Sequence, residues 1–205
     1  MFGIINQIKL KYGEIMKNSD LKLFINPVTI VGDRIILRKM SIKDLDDVYE
    51  YARDSRVSEH LLWSPHPSKD FTKRYLQYIE KKYRKCEFFD WAVELQGKMI
   101  GTCGFTSLSV DNQSGEVGFV LNSKYWGKGI AREAASLVIK YGFETLGLNR
   151  IESRYMLENT QSRRVMEKCG MRYEGTLRKS ILSKGKYRDI GVFSILKEEY
   201  FKKAL

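Results

Sequence analysis

Apolar positions recur along this chain at helical spacing in some stretches and at strand spacing in others, and the changes of spacing mark its elements. "RIILR" (34–38) is a short apolar run of strand character. "SIKDLDDVYEYARD" follows at helical spacing, with Ser41 as N-cap, acidic residues in the first turn, and Leu45, Val48 and Tyr49 on one face. The loop "SEHLLWSPHPS" leads to a second helix capped by Ser68, where Phe71, Tyr75, Tyr78, Ile79 and Tyr83 form an aromatic stripe expected to face the core. The spacing then shortens to two: "FFDWAVELQ" and "MIGTCGFTSLS", joined across "QGK", predict a hairpin, and "SGEVGFVL" a further strand. "REAASLVIKYGFETLG" is helical again, with Ala134, Leu137, Val138, Tyr141 and Leu146 along one face and a stop at Gly147. "NRIESRYML" predicts a strand, "TQSRRVMEKCG" a short helix ending at Gly170, and "KSILSKGKYRDIGVFSIL" a final hairpin.

The order is therefore strand, two helices, three antiparallel strands, helix, strand, helix, two strands: one α/β domain over residues 31–205. Residues 1–30 stand apart as a basic, weakly amphipathic segment carrying Phe2, Ile5, Ile8 and Leu10. They are expected to form an arm or helix lying on the domain or on a second copy, in a monomer or a homodimer.

Composition narrows the classes. A chain of 205 residues that is 43% hydrophobic and 12% aromatic buries a real core, which excludes disorder. Lys and Arg number 36 against 25 Asp and Glu, so the net charge of +11 favours polyanionic partners: nucleic acid, the ribosome, or a phosphorylated cofactor. The three cysteines, Cys86, Cys103 and Cys169, are scattered and odd in number, as free thiols in a reducing compartment would be. Two histidines, His60 and His66, lack the partners of a zinc site, so no metal is expected. No apolar run approaches the ~18 residues of a membrane span, and the N-terminal residues lack the apolar centre of a signal peptide. These features predict a soluble cytoplasmic protein.

The segment "YWGKGIA" (125–131) raises the chemical question, because its glycines serve either a tight turn or the approach of a phosphate. A P-loop needs Ser or Thr after Gly-Lys, and Lys128 is followed by Gly129. A dinucleotide fingerprint needs a third glycine where Arg132 stands, and a parallel unit where the strands read as a meander. A strand, a turn of free amides and a helix starting near Ile130 remain, which together make an anion site. Gly127 and Gly129 let the backbone approach, and Lys128 and Arg132 add charge.

In its context the segment is more specific. "FVLNSKYWGKGIAREAA" resembles the acetyl-CoA loop of the GNAT acetyltransferases, Arg/Gln-x-x-Gly-x-Gly/Ala, with Trp126 departing from the usual first position. That departure, the string "ENTQSRRVMEKCGMRYEG" with Met171 in place of Phe, and the tail "GKYRDIGVFSIL" are similar to the Rim-type branch, whose members resemble ribosomal-protein N-terminal acetyltransferases. The resemblance runs from about residue 33 to 200. It implies a mixed, mostly antiparallel twisted sheet flanked by helices and splayed at its central strands.

It also implies a site. Backbone groups of Phe119, Val120 and Leu121 would pair with the pantetheine arm of acetyl-CoA, and Trp126, Gly127, Lys128, Gly129, Ile130, Ala131 and Arg132 would hold its diphosphate. Asn159 would hydrogen-bond the arm, unless it serves only as a turn or cap. Glu116 would act as base, through water if needed, and Ser162 as acid or as ligand of the sulfur, since the tyrosine many members carry is here Met166. Trp63, His60 and His66, in the loop that covers the acceptor, are candidates to contact it. The implied activity is acetyl transfer to a primary amine, first a protein N-terminus of ribosomal type. Polyamine or aminoglycoside-type acceptors, a non-catalytic acyl-CoA-binding module and a nucleic-acid-binding protein stay open.

Overall fold

The strand-spaced stretches join into one sheet. The structure is a computed structural model and describes residues 27–85 and 89–202; most of the N-terminal segment and Cys86 lie outside the described residues. The strands are β1 (Ile30–Val31), β2 (Ile36–Arg38), β3 (Phe89–Leu95), β4 (Lys98–Ser109), β5 (Ser114–Leu121), β6 (Arg150–Met156), β7 (Arg172–Ser183) and β8 (Lys186–Leu196). They lie side by side in the order β1-β2-β3-β4-β5-β6-β8-β7. Every neighbouring pair is antiparallel except β5 and β6, which run parallel. Two hairpins close on residue pairs with positive φ, Gln96 and Gly97 (52° and 77°) and Lys184 and Gly185 (50° and 75°). That left-handed pair turns the chain in the sense of the strands' own twist.

Helices cover both faces. On one side lie α1 (Leu45–Ala52), the single turn α2 (Ser55–Ser58) and α3 (Lys69–Arg84), over a core that includes Met40, Val48, Leu76, Ile79 and Ala92. On the other, α4 (Ile130–Glu144) packs Val138 and Phe143 against Trp91, Val117 and Ile151. The helices α5 (Thr160–Lys168) and α6 (Lys197–Lys202) complete the fold. Ser41 forms a capping box with Asp44 at a 3-10 turn (Ile42–Asp44) that leads into α1, and Ser68 caps α3 through Phe71 N–H, as their positions predict. Among the described residues no helix is long and apolar enough to cross a membrane.

Three expectations need correction. The buried stripe of α3 is Thr72, Leu76, Ile79 and Tyr83; Phe71 and Tyr78 are exposed. Each of those two precedes a buried position by one residue, about 100° of rotation, so aromatic character misled where spacing did not. On α1 the buried tyrosine is Tyr51, with Tyr49 on the flank. The strand β7 begins at Arg172 rather than near Lys179, because its first half is an edge strand exposed on both faces and carries no apolar alternation. The strand β1 and the helices α2 and α6 are too short for a periodic signal.

The site depends on how β5 meets β6. They pair only from Ser114–Arg150 to Glu116–Glu152. At the next position the Ser153 hydroxyl donates to Val117 O at 2.7 Å, and ladder pairing then ceases, while β6 stays paired to β8 through Met156. Val117 and Ser153 are both 2% exposed. Ser153→Ala leaves that carbonyl without a partner, and is expected to cost about 1–2 kcal/mol and to lower Tm by roughly 2–8 °C in a thermal scan. An unchanged Tm would show that the fork does not need the hydroxyl.

Candidate active site

The glycine segment follows a 3-10 turn (Ser123–Tyr125) and opens α4. Gly127 and Gly129 both take left-handed φ, 75° and 77°. A Cβ on Gly127 would meet nothing within 4 Å, and one on Gly129 only the Arg34 guanidinium at 3.5 Å. Handedness, not crowding within the chain, therefore demands glycine here. From Gly127 through Arg132 no backbone N–H is hydrogen-bonded among the described residues; Glu133, bonded to Gly129 O at 3.1 Å, is the first amide to enter the helical ladder. A helix start always leaves its first amides unpaired. The run here extends upstream into the turn, so the helix dipole and the loop amides act on one spot.

Arg34 holds this loop in place. Its N–H and Nε donate to the two oxygens of Glu133 at 2.8 and 2.7 Å, and its NH1 donates to Lys128 O at 2.9 Å. The Lys128 ammonium lies over the Tyr125 ring, 5.2 Å from its centroid, so Lys128 contributes its backbone to the loop while its charge stacks on the ring.

A cleft of about 560 Å³ runs from the loop into the fork between β5 and β6. It brings together most of the residues predicted for cofactor binding: Phe119, Val120, Leu121, Trp126, Gly127, Gly129, Ile130, Ala131, Arg132, Asn159 and Ser162. Trp126 Nε1 donates to Leu121 O at 2.9 Å, so the residue that departs from the family pattern caps one carbonyl of the open edge. Asn122 N–H pairs back to Ile100 O on the β4 side. Since Val117 and Leu121 face the fork, strand alternation turns the Phe119 N–H and C=O to it as well, and those of Val120 toward β4. Of the three residues proposed for backbone pairing, Phe119 thus presents both groups unspent.

Across the fork Asn159 caps α5: its Oδ1 accepts from Ser162 N–H at 3.0 Å, which leaves its Nδ2 donors for a ligand. Ser162 sits in the first turn of that helix. Met166 is 2% exposed and packs in the core, so the position where other members carry tyrosine has become part of the hydrophobic interior. Arg56, Arg132, Arg164 and Lys168 line the cleft, against the carboxylates of Glu59 and Glu158. Arg188 NH1 donates to Glu158 at 3.0 Å.

Of the three loop residues expected to contact the acceptor, only His60 lines the cleft. His66 bonds Thr72 Oγ1 at 2.9 Å through Nδ1 and packs among Trp63, Phe71 and Tyr75; burial lowers its pKa. Trp63 lies in that aromatic group. Glu116 stands on the same face of β5 as Val120, its carboxylate 3.5 Å from Arg154 Nε, which it shares with Glu152, and it does not line the cleft. Sequence reading missed the clasp over this end, where the Lys184 ammonium donates to Ser58 O and, at 3.5 Å, to Glu59 O, and Ser183 Oγ donates to Leu61 O at 3.5 Å. Its partners are 122 to 126 residues apart, so no local pattern announces them.

The chain is similar to known proteins. Residues 34–172 match the family described as an acetyltransferase (GNAT) domain. An uncharacterised N-acetyltransferase, p20 of Bacillus licheniformis, is 34% identical over 174 residues, 84% of this chain and 98% of its own. YdaF of Bacillus subtilis, provisionally named a ribosomal N-acetyltransferase, is 27% identical over 83% of this chain and 95% of its own. The crystal structure of a GNAT-family acetyltransferase from Bacillus anthracis superposes with a TM-score of 0.75 at 34% identity, covering 84% of this chain and all of that one.

The Arg34 tie makes a measurable claim. Arg34→Gln removes the link between the bend before β2, Glu133 and Lys128 O, and is expected to weaken coenzyme A binding about tenfold, ~1.4 kcal/mol, by titration calorimetry. Because Arg34 is half exposed, stability should change by less than ~1 kcal/mol. Unaltered affinity would mean that the loop keeps its shape without the tie.

Proposed function

This chain belongs to the GNAT acetyltransferases, and from that premise we propose that it moves the acetyl group of acetyl-CoA to a primary amine at a protein N-terminus of ribosomal type. The observation that carries the reading is the continuity of unspent backbone groups, from the loop amides of Gly127–Arg132 to the open edge of β5 at Phe119. A diphosphate matches the first and an amide-bearing arm the second. Resemblance to YdaF and the net charge of +11 support an acceptor carried on a ribosome.

The residues divide the work by position. The thioester supplies an activated acetyl group and a thiolate that leaves tolerably without a strong acid. The Phe119 N–H stands as donor to the oxygen that gains charge. Ser162 and the Asn159 amide hold the arm and the sulfur, a binding role that suits the absence of a tyrosine at Met166. Glu116, on the acceptor side, draws in the cationic amine and serves as a station for its proton. A second reading, a small polyamine acceptor, is favoured by Glu59 and Glu158 on the cleft wall. Orientation of two bound substrates supplies much of the rate in either case.

Acetyl-CoA at a hundred times its Kd is expected to stabilise the fold by about 2.7 kcal/mol and to raise Tm by roughly 5–10 °C. Gly129→Glu, which places a side chain and a negative charge in the loop, should abolish that shift while the protein stays folded. If the shift survives, the loop is a turn and nothing more. Thiol release measured with ribosomal-protein N-terminal peptides and with spermidine then separates the acceptors: turnover with spermidine alone would replace the first reading by the second.

A further inference from the structure

The sheet face under α1 and α3 carries a carboxyl group that the roles above leave unused. Asp90 stands on β3, and the register runs from Asp90 to Gly104 on β4 to Gly118 on β5, so all three lie in one row on one face. The Asp90 side chain occupies the space a Cβ on Gly104 would need, which would lie 2.8 Å from Asp90 Oδ1 and 2.3 Å from Asp90 Cα. The carboxylate therefore leans across β4 toward Gly118. A Cβ on Gly118 would meet only the Thr106 methyl, so between Asp90 and β5 the floor is backbone. On β5 the same-face neighbours of Gly118 are Val120, which lines the cleft, and Glu116. Neither Asp90 nor Glu116 lines the cleft itself; Val120 is where this face of the sheet meets it, and its β4 partner Thr102 is the polar neighbour of Asp90.

No cation neutralises Asp90 among the described residues. Its Oδ1 accepts from Trp91 N–H at 3.0 Å, and the Thr102 hydroxyl is its other polar neighbour. The titratable groups that face it are Tyr75 and Tyr83 of α3 and Tyr51 of α1, while Cys103 of β4 lies near it on the opposite face of the sheet. Lys39, on the α3 side, stacks over the Tyr83 ring. Burial pushes the Asp90 carboxyl up to about 7, with the Thr102 hydroxyl and Trp91 N–H opposing. Asparagine would make the same bond to Trp91 with no charge to desolvate, so structure alone gives no reason for a carboxylate here. Glu116, by contrast, shares Arg154 with Glu152.

We propose that Asp90 binds the primary ammonium of the acceptor and takes one of its protons. The inference rests on the acetyltransferase reading. Ammonium and carboxylate become amine and carboxylic acid; the amine nitrogen then bonds the acetyl carbon as the carbon–sulfur bond breaks. The proton lost from that nitrogen goes to the thiolate, and Asp90 returns its own to solvent. A peptide N-terminus and a polyamine both present this group, and both are assayed.

Asp90→Asn keeps the bond to Trp91, so it should bind coenzyme A within about threefold of the parent, and its Tm at pH 8 should be no lower, since a partly buried carboxylate with a raised pKa is removed. Acceptor kcat/KM is expected to fall ~100-fold, and the rise in rate with pH centred near 7 should disappear. Glu116→Gln should lower the rate yet keep that rise. Thr102→Val, losing a hydroxyl that favours the ionised form, should move the midpoint to higher pH, and it decides the matter if Asp90→Asn fails to fold. An Asp90→Asn enzyme with kcat/KM within threefold and an unshifted pH profile overturns the inference and leaves the acetyltransferase reading intact. Coenzyme binding without turnover of any amine by the parent protein would end both.

Discussion

The fork between β5 and β6 is the constraint from which the site follows. A buried strand edge must pair its amides and carbonyls, yet β5 loses its partner after Glu116 and runs on to Leu121. The chain itself settles two of the carbonyls that lose their strand partner, Val117 through Ser153 and Leu121 through Trp126. Phe119, between them, is left to the cleft. Parallel pairing makes the fork possible: β6 returns only after the crossover through α4, so the two strands need not stay in step as a hairpin would. The cleft is thus made by the topology of the sheet, and its chemistry is that of backbone.

Backbone chemistry needs rigidity, and long-range ties supply it. The loop at Gly127–Gly129 takes a left-handed turn that helices and strands do not impose on it. Arg34 fixes it from the bend before β2 by gripping the first turn of α4 and the carbonyl between the glycines. A planar guanidinium suits this task because it bonds a carboxylate and a carbonyl in fixed directions, which an ammonium does not. At the end of the cleft lined by His60, Lys184 and Ser183 clasp the Ser58–Leu61 segment in the same manner, side chain to carbonyl.

What was legible in the sequence was local. Ser41 and Ser68 announce helix starts because a cap acts within three residues, and the glycine loop is readable because its left-handed turn and bare amides are properties of one short segment. The meander of β3, β4 and β5 follows from turn residues between alternating runs. The parts that needed a partner far along the chain were not legible. Arg34 in "RIILR" looks like the polar end of a strand, and nothing near it names Glu133. Asp90 reads as an interruption in "FFDWAVELQ" until the register sets it beside Gly104. His66 reads as an acceptor contact by residue type, and only the structure shows its Nδ1 on Thr72 and its ring among three aromatic neighbours.

Trp126 shows how a departure from a motif is absorbed. The family pattern puts Arg or Gln there, a polar side chain at the mouth of the loop. The indole instead packs against both hydrophobic cores, the one under α4 and the one under α1 and α3, and lines the cleft. Its single N–H is directed inward, to Leu121 O. That bond gives up one carbonyl of the open edge, and in exchange the glycine loop is anchored to the strand it must stay aligned with. Arginine at this position would bring more donors but a charge to desolvate beside Leu121 and Tyr125. A large apolar ring with one donor joins loop, strand and both cores without that cost, and it leaves Phe119 as the place where the edge is still open.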